Sequence, residues 1–455
     1  MKRVLAFLLA MMLALSLCAC GSKENLAPAD PVSPPVSSTP EPSKPTEPSA
    51  PEKPTEPTAP TTPEKPAEPA VPEEPAKPTN RDGAKCSVCG NWLTDWAATN
   101  QGCGVVVFYQ RNCPTCQAGF FKEEMVWHTL EDGKCTQCGK SETDPANLQF
   151  KLNEAGTGYE LIRVTFNHQD PDLIVPRMYN DLPVVGIQSL IVDRQDNLQP
   201  HFIYLQNTAT YLKDNALKKL GCLEGVWMAD SVTSLGNYAL AANQSLRHLR
   251  LSENLSEMGM YVFASSGLQE VTLPDNLTKL GVAAFAQCKS LRTVKIGSRL
   301  QDVGEAAFAQ CTALETVEMP NSVTTIGNTA FYLCSALERF ELPKKVTVVP
   351  TDCFADCTAL TTVVWHDDIT TIGSGAFSHC PISELPLLPR LTTIGSGAFR
   401  ECKTLTAVTL PQGLSTIEAN AFYACTSLTS ANRPDTLSTI GKDAFYCCPV
   451  EELFK

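Results

Sequence analysis

A phenylalanine returns every 22 or 23 residues through the C-terminal half of the chain, at Phe263, Phe285, Phe308, Phe331, Phe354, Phe377, Phe399, Phe422 and Phe445. Leu240 and Leu217 extend the column backward by 23 residues each time. A fixed period of this length means a stack of like units, because one unit cannot bury its own apolar stripe but neighbours can share one. Eleven units are counted this way. One reads Leu314-Glu-Thr-Val317-Glu-Met319-Pro320-Asn-Ser-Val323-Thr-Thr-Ile326-Gly327-Asn-Thr-Ala330-Phe331-Tyr-Leu-Cys334. Alternation predicts a short strand with Val317 and Met319 inward and Thr316 and Glu318 outward, ended by Pro320. Val323 and Ile326 predict a second extended segment. Gly327 suits a left-handed turn or a close backbone approach. Ala330 and Phe331 predict the start of a short helical turn whose ring fills the core. The fold class expected is a β-rich α/β solenoid with parallel strands about 4.8 Å apart. Residues 201–455 form this solenoid. Residues 147–200, in which Leu173-Ile-Val-Pro176 and Leu182 to Ile187 look like a degenerate half-unit, read as its N-terminal cap.

The recurring pattern Leu-x-x-Val-x-Leu-Pro-x-x-Val-Thr-x-Ile-Gly-x-x-Ala-Phe-x-x-Cys resembles the leucine-rich repeats of the BspA-like, spirochaete-antigen type over roughly residues 200 to 450. Departures are visible. Pro350 and Glu418 replace the Gly, and Trp365-His366 replace Leu-Pro, with Trp365 read as core. Asn432-Arg433 put polar residues near an inward position, which suggests a fraying last unit. The resemblance implies a bacterial surface protein that binds host proteins, other cells or glycans, with no catalytic motif to transfer.

Eight of the 20 cysteines stand three residues after the Phe column, from Cys288 to Cys448. Parallel Cβ vectors in a stack oppose bridging between neighbours, so they read as a buried ladder of small thiols. Seven others lie in residues 81–146. Cys86-x-x-Cys89-Gly, Cys113-x-x-Cys116 and Cys135-x-x-Cys138-Gly, with Cys103 and His128, make eight candidate ligands, enough for two structural zinc ions. Cys86, Cys89, Cys113 and Cys116 form the first expected set; Cys135 and Cys138 would need His128, Cys103 or both. This zinc-ribbon-like segment resembles small repeats of bacterial surface proteins. Disulfides between knuckles and a redox role remain open at this point.

The N-terminus reads as an export signal, which places the cysteines in an extracellular compartment. Lys2 and Arg3 precede about fourteen apolar residues, too few for a comfortable membrane span. The run ends Leu17-Cys18-Ala19-Cys20-Gly21, which resembles a bacterial lipoprotein signal, residues 1–19, with Cys20 as the lipidated residue. An ordinary secretory signal is the alternative. Residues 20–80 read as anchor and disordered stalk. From Pro42 to Pro78 every third residue is proline, matching the three-residue turn of polyproline II.

No long apolar run follows the signal, so a polytopic membrane protein is excluded. A net charge of −13 argues against nucleic acid as a partner. No metalloprotease, hydrolase-elbow or phosphate-loop motif occurs, and the expectation is a non-enzyme. Solenoids bind along their strands. The outward positions proposed for a ligand are Trp227, His248, Arg250, Glu270, Lys295, Glu318 and Arg339, with an exposed Trp227 beside His248 and Arg250 as the most binding-like patch. Ordinary solvated positions are the alternative for each. The function expected is capture of an extracellular protein or glycan at the outer face of the bacterial membrane, with the membrane reached through the lipid alone. A non-catalytic envelope scaffold that docks a partner is the second reading.

Overall fold

A computed structural model describes residues 125–165, 172–192 and 199–455, together with the backbone of Ala97–Ala98, Val105–Asn112 and Gly119–Val126. Cys20, the signal, the proline stalk and five of the expected metal ligands (Cys86, Cys89, Cys103, Cys113 and Cys116) lie outside the described residues. The solenoid belongs to the unit formed by Ala97–Gln110 and Phe121–Lys455, one of two into which the chain divides.

Each turn of the solenoid carries two short strands, and each strand pairs in parallel with its counterpart one turn away. The first ladder spans Asp172–Ile174 to Ser430–Ala431, twelve strands hydrogen-bonded in four consecutive runs. Register is one residue to one residue: Thr293 faces Thr316, Val294 faces Val317 and Lys295 faces Glu318. Val294 and Val317 are buried while Glu318 is exposed, as alternation requires. The second ladder begins at Tyr159–Val164, which pairs in parallel with Leu182–Val192, and ends at Thr439–Ile440. Its inward residues, such as Ile372 and Ile394, are fully buried.

The segment around Leu173 and Leu182 is a whole turn rather than half of one. Asp172–Ile174 pairs with Phe202–Leu205, and Gly186 and Ile187 pair with Tyr211 and Leu212. The period hides this turn because it lacks the Phe and Cys columns.

The corner between the strands corrects the expected helical turn. Thr329 and Leu333 have positive φ, 56° and 57°, and the same pair recurs at Ala306 and Gln310. A right-handed helix cannot contain such residues. The amides of Thr329, Phe331 and Leu333 instead donate to the carbonyls of Thr351, Cys353 and Ala355 in the next turn, each at 2.9 Å. Tyr332 and Cys334 donate back three residues. The corner is therefore a third inter-turn ladder made of consecutive tight turns. The helical elements among the described residues are short 3-10 turns at Pro145–Asn147 and Glu451–Phe454.

Between the ladders runs the core. The nine Phe rings stack nearly parallel, with successive centroids 4.9 to 5.6 Å apart. That spacing is the ladder spacing, so each ring sits between its two neighbours. Gly327 is explained by approach rather than by φ: a Cβ there would lie 2.4 Å from the Glu305 amide nitrogen. Asn432 is paired rather than stranded, since its side chain accepts from the Leu410 amide at 2.8 Å and donates to the Leu410 carbonyl at 2.7 Å. Phe454 stacks on Phe445 at 3.8 Å and covers the end of the column.

The cysteine column has a hydrogen-bonding reason. Cys334 Sγ donates to the Phe308 carbonyl of the previous turn at 3.2 Å, and every member from Cys288 to Cys448 repeats the contact at 2.9 to 3.2 Å. Upstream, Asn243 fills the same position and donates to the Leu217 carbonyl at 2.9 Å. The position asks for a small buried donor. None of the thirteen described cysteines forms a disulfide.

Candidate functional site

Two places gather the side chains singled out by the sequence. The first lies ahead of the solenoid. Leu130–Glu131 and Lys134–Cys135 form a hairpin closed by Asp132 and Gly133, both at positive φ, the turn for which Asp-Gly is suited. The chain then curls through Thr136 and Gln137 to Cys138. The Gly139 amide donates to the Cys135 carbonyl at 2.9 Å, and Gly139 has φ 76°. His128, Cys135 and Cys138 each place a ligand atom within 4.8 Å of the others. His128 Nδ1 is 3.5 Å from Cys138 Sγ, and its Nε2 is 3.5 Å from Asp172. Lys140 Nζ contacts the same carboxylate at 2.5 Å.

The electrostatics of this cluster are coupled. The hydrogen bond to Asp172 is the main cause that raises His128 to about 8, against the opposing effect of burial. Burial works against ionisation of Asp172, yet His128 and Lys140 hold its carboxyl below the ordinary range. Burial likewise opposes the Cys135 thiolate, but the amides of Cys138 and Gln137, with His128 and Cys138, bring it down to about 6. Two soft thiol ligands and one imidazole suit zinc. An aspartate on the far ring nitrogen is the usual outer support of a metal-bound histidine. These three donors fit part of a zinc shell; a closed tetrahedral site needs a fourth, and no other His, Cys, Asp or Glu joins the three among the described residues.

The second place is the outward face of the first ladder. Its candidate residues fall in two rows set by the pairing. Trp227 stands beside Arg250, and Lys295 beside Glu318. His248 lies two residues before Arg250, in the neighbouring outward row, opposite Gly225. Glu270 is opposite Thr293 and Arg339 opposite Thr362, so both belong with His248's row rather than with Lys295.

Trp227 is half-buried, not exposed. The Arg250 guanidinium lies 5.0 Å over its ring. Arg250 also grips Asp230 with two contacts of 3.0 and 3.2 Å and donates to the Met228 carbonyl. The Glu253 amide and Arg250 hold the Asp230 carboxyl below its ordinary range. Arg250 is thus held by its own chain on three sides, by Trp227, Asp230 and the Met228 carbonyl.

A shallow groove of about 330 Å³ opens beside it, lined by Arg250, Glu253, Thr272, Asp275 and Lys295 among others. Trp127 was not foreseen as part of this face. Its ring packs edge-on against Phe202 at 6.4 Å and Tyr204 at 6.0 Å, over Gly225, where a Cβ would meet both Phe202 and Trp127. Among the described residues, no helix is long and apolar enough to cross a membrane.

The profile of the BspA type leucine rich repeat region, six copies long, matches residues 197–292, 283–406 and 324–451. Among curated proteins, none matches the chain. A leucine-rich repeat protein from Bacteroides ovatus is similar in structure: TM-score 0.50, 20% identity, 66% of this chain and 79% of that one covered. A leucine rich cell surface protein from Faecalibacterium prausnitzii gives TM-score 0.44 and 24% identity over 68% and 92% of the two chains. The first likeness supports the fold and nothing finer.

Proposed function

Because the chain belongs to the BspA type leucine-rich repeat family, we propose that it is a non-catalytic, surface-anchored binding protein that captures an extracellular protein or glycan. The observation that carries this reading is the groove between Arg250 and Lys295. The guanidinium of Arg250 over Trp227, an ammonium from Lys295, the carboxylates of Glu253 and Asp275 and the Thr272 hydroxyl line one concavity, together with Leu251 and Ile296. Such a mixture of charge and hydroxyl donors suits a hydroxyl-rich or polar ligand, and a pre-set arginine loses little freedom on binding. Lipid attachment at Cys20 would hold the protein to the outer membrane face, and the proline stalk would lift the solenoid from it. Zinc at His128, Cys135 and Cys138 belongs to this reading as a structural ion. It would fix the hairpin and the knuckle, and with a fourth protein ligand completing the shell it would have no open position for a reaction.

The test is a screen of the lipid-free mature chain against arrays of extracellular matrix proteins and glycans. Saturable binding to one chemical class is expected. No binding on either array, together with a single stoichiometric partner recovered from the native envelope, would replace capture with scaffolding.

A further inference from the structure

We infer that the His128–Cys135–Cys138 cluster is a metal-dependent latch that closes the open edge of the solenoid's first strand. This rests on the zinc reading above. Asp172–Ile174 pairs on one side with Phe202–Leu205. Its other side would leave strand amides and carbonyls for any passing chain to pair with, the hazard of every solenoid end. Residues 140–143, which leave the knuckle directly, lie along that side. The Thr143 amide donates to the Ile174 carbonyl at 2.9 Å, and the Ile174 amide donates to Thr143 Oγ1 at 3.1 Å. Glu142 Oε1 accepts from the Arg177 amide at 3.0 Å, from Arg177 Nε at 3.2 Å and from the buried Gln206 at 2.7 Å. The Glu142 amide in turn donates to Gly133 in the hairpin at 2.9 Å, so knuckle and strand edge share one residue.

His128 joins the two halves. One ring nitrogen faces Cys138 and the other faces Asp172, the first residue of the edge strand. An ion on Nδ1 leaves Nε2 to carry the proton and donate it to Asp172 as a hydrogen bond. Metal binding therefore orients the ring toward the solenoid as well as tying Cys135 to Cys138. Without the ion, residues 140–143 keep the hydrogen bonds of Lys140, Glu142 and Thr143, but the small-cored hairpin and knuckle behind them lose the tie that orients them.

The experiment uses the mature full chain. Metal content is measured on wild type and on Cys138→Ser. Amide exchange is then followed with and without chelator. The latch predicts that Cys138→Ser loses one equivalent of zinc. It also predicts that chelation speeds exchange across residues 172–177 at least tenfold, that added zinc restores it, and that residues 316–331 are unaffected. Asp172→Asn is expected to keep the ligands but weaken zinc about 10–100-fold. Unchanged metal content in Cys138→Ser overturns the zinc reading and the latch together. Loss of zinc with unchanged exchange at 172–177 overturns the latch alone.

Discussion

Phe331→Ala is expected to lower the stability of the solenoid by about 3–5 kcal/mol, the usual cost of truncating a buried aromatic. The ring is fully buried. It stacks between Phe308 at 5.4 Å and Phe354 at 5.5 Å, and Phe340 tilts against it at 5.0 Å. The backbone on either side is fixed by the ladder bonds of Thr329, Phe331 and Leu333, so the site cannot collapse around the gap. Stability in a stack is close to a sum of units and nearest-neighbour contacts. The defect should therefore split one urea transition into two, with the weaker part changing first. Thr324→Ala, on the exposed side of the second ladder, is expected to change stability by less than about 0.5 kcal/mol. Circular dichroism during urea unfolding measures both. A Phe331→Ala cost below about 1 kcal/mol would mean that the column is decorative.

The second large effect is chemical. In the folded protein the ladder cysteines should resist iodoacetamide while Cys447 and Cys222 react, and all should react in denaturant. The ladder thiols are buried and each donates to a phenylalanine carbonyl, whereas Cys447 is exposed. Burial pushes Cys288 up to about 11 and Cys357 up to about 12. At these two the reactive thiolate is scarcer at neutral pH by about two orders of magnitude or more than in an ordinary cysteine. Exclusion of the reagent adds to this. Cys448, the last member, is instead pulled down by its hydrogen bond with Cys425 and should label first within the column. Peptide mass spectrometry after timed alkylation reads each site. Ladder labelling at the rate of Cys447, or disulfides between ladder members, would contradict the hydrogen-bonding role given to the column.

What could be read from the chain divides along a physical line. Columns that repeat through burial were legible, because Phe331, Val317 and Ile326 must all meet the same core once per turn. The corner was not, because Ala330 and Phe331 satisfy a helical pattern locally while their neighbours' amides bond to another turn. Only the stack decides between the two. Gly327 was legible as a close approach and ambiguous as a turn, and the neighbouring Glu305 backbone settles it.

The His128–Cys135–Cys138 cluster shows the limit most clearly. Spacing marked Cys135 and Cys138, and proximity suggested His128. Nothing in spacing points to Asp172, 44 residues after His128, as the group behind its ring. The same holds for Trp127, whose place over Gly225 depends on how the segment packs onto the first strands. For Trp227, the strand pattern put the side chain outward correctly. Its cover came from Arg250 one turn later, which period alone does not reveal.

The most direct measurement is the affinity of the chain for the ligand class found on the arrays, compared between wild type and the double variant Arg250→Ala with Lys295→Glu. Thr439→Ala, on the other ladder, serves as the control, and circular dichroism checks that all three are folded. Binding at the groove predicts a loss of at least about tenfold for the double variant and no change for the control. Affinity within about twofold of wild type in a folded double variant would place recognition elsewhere on the solenoid.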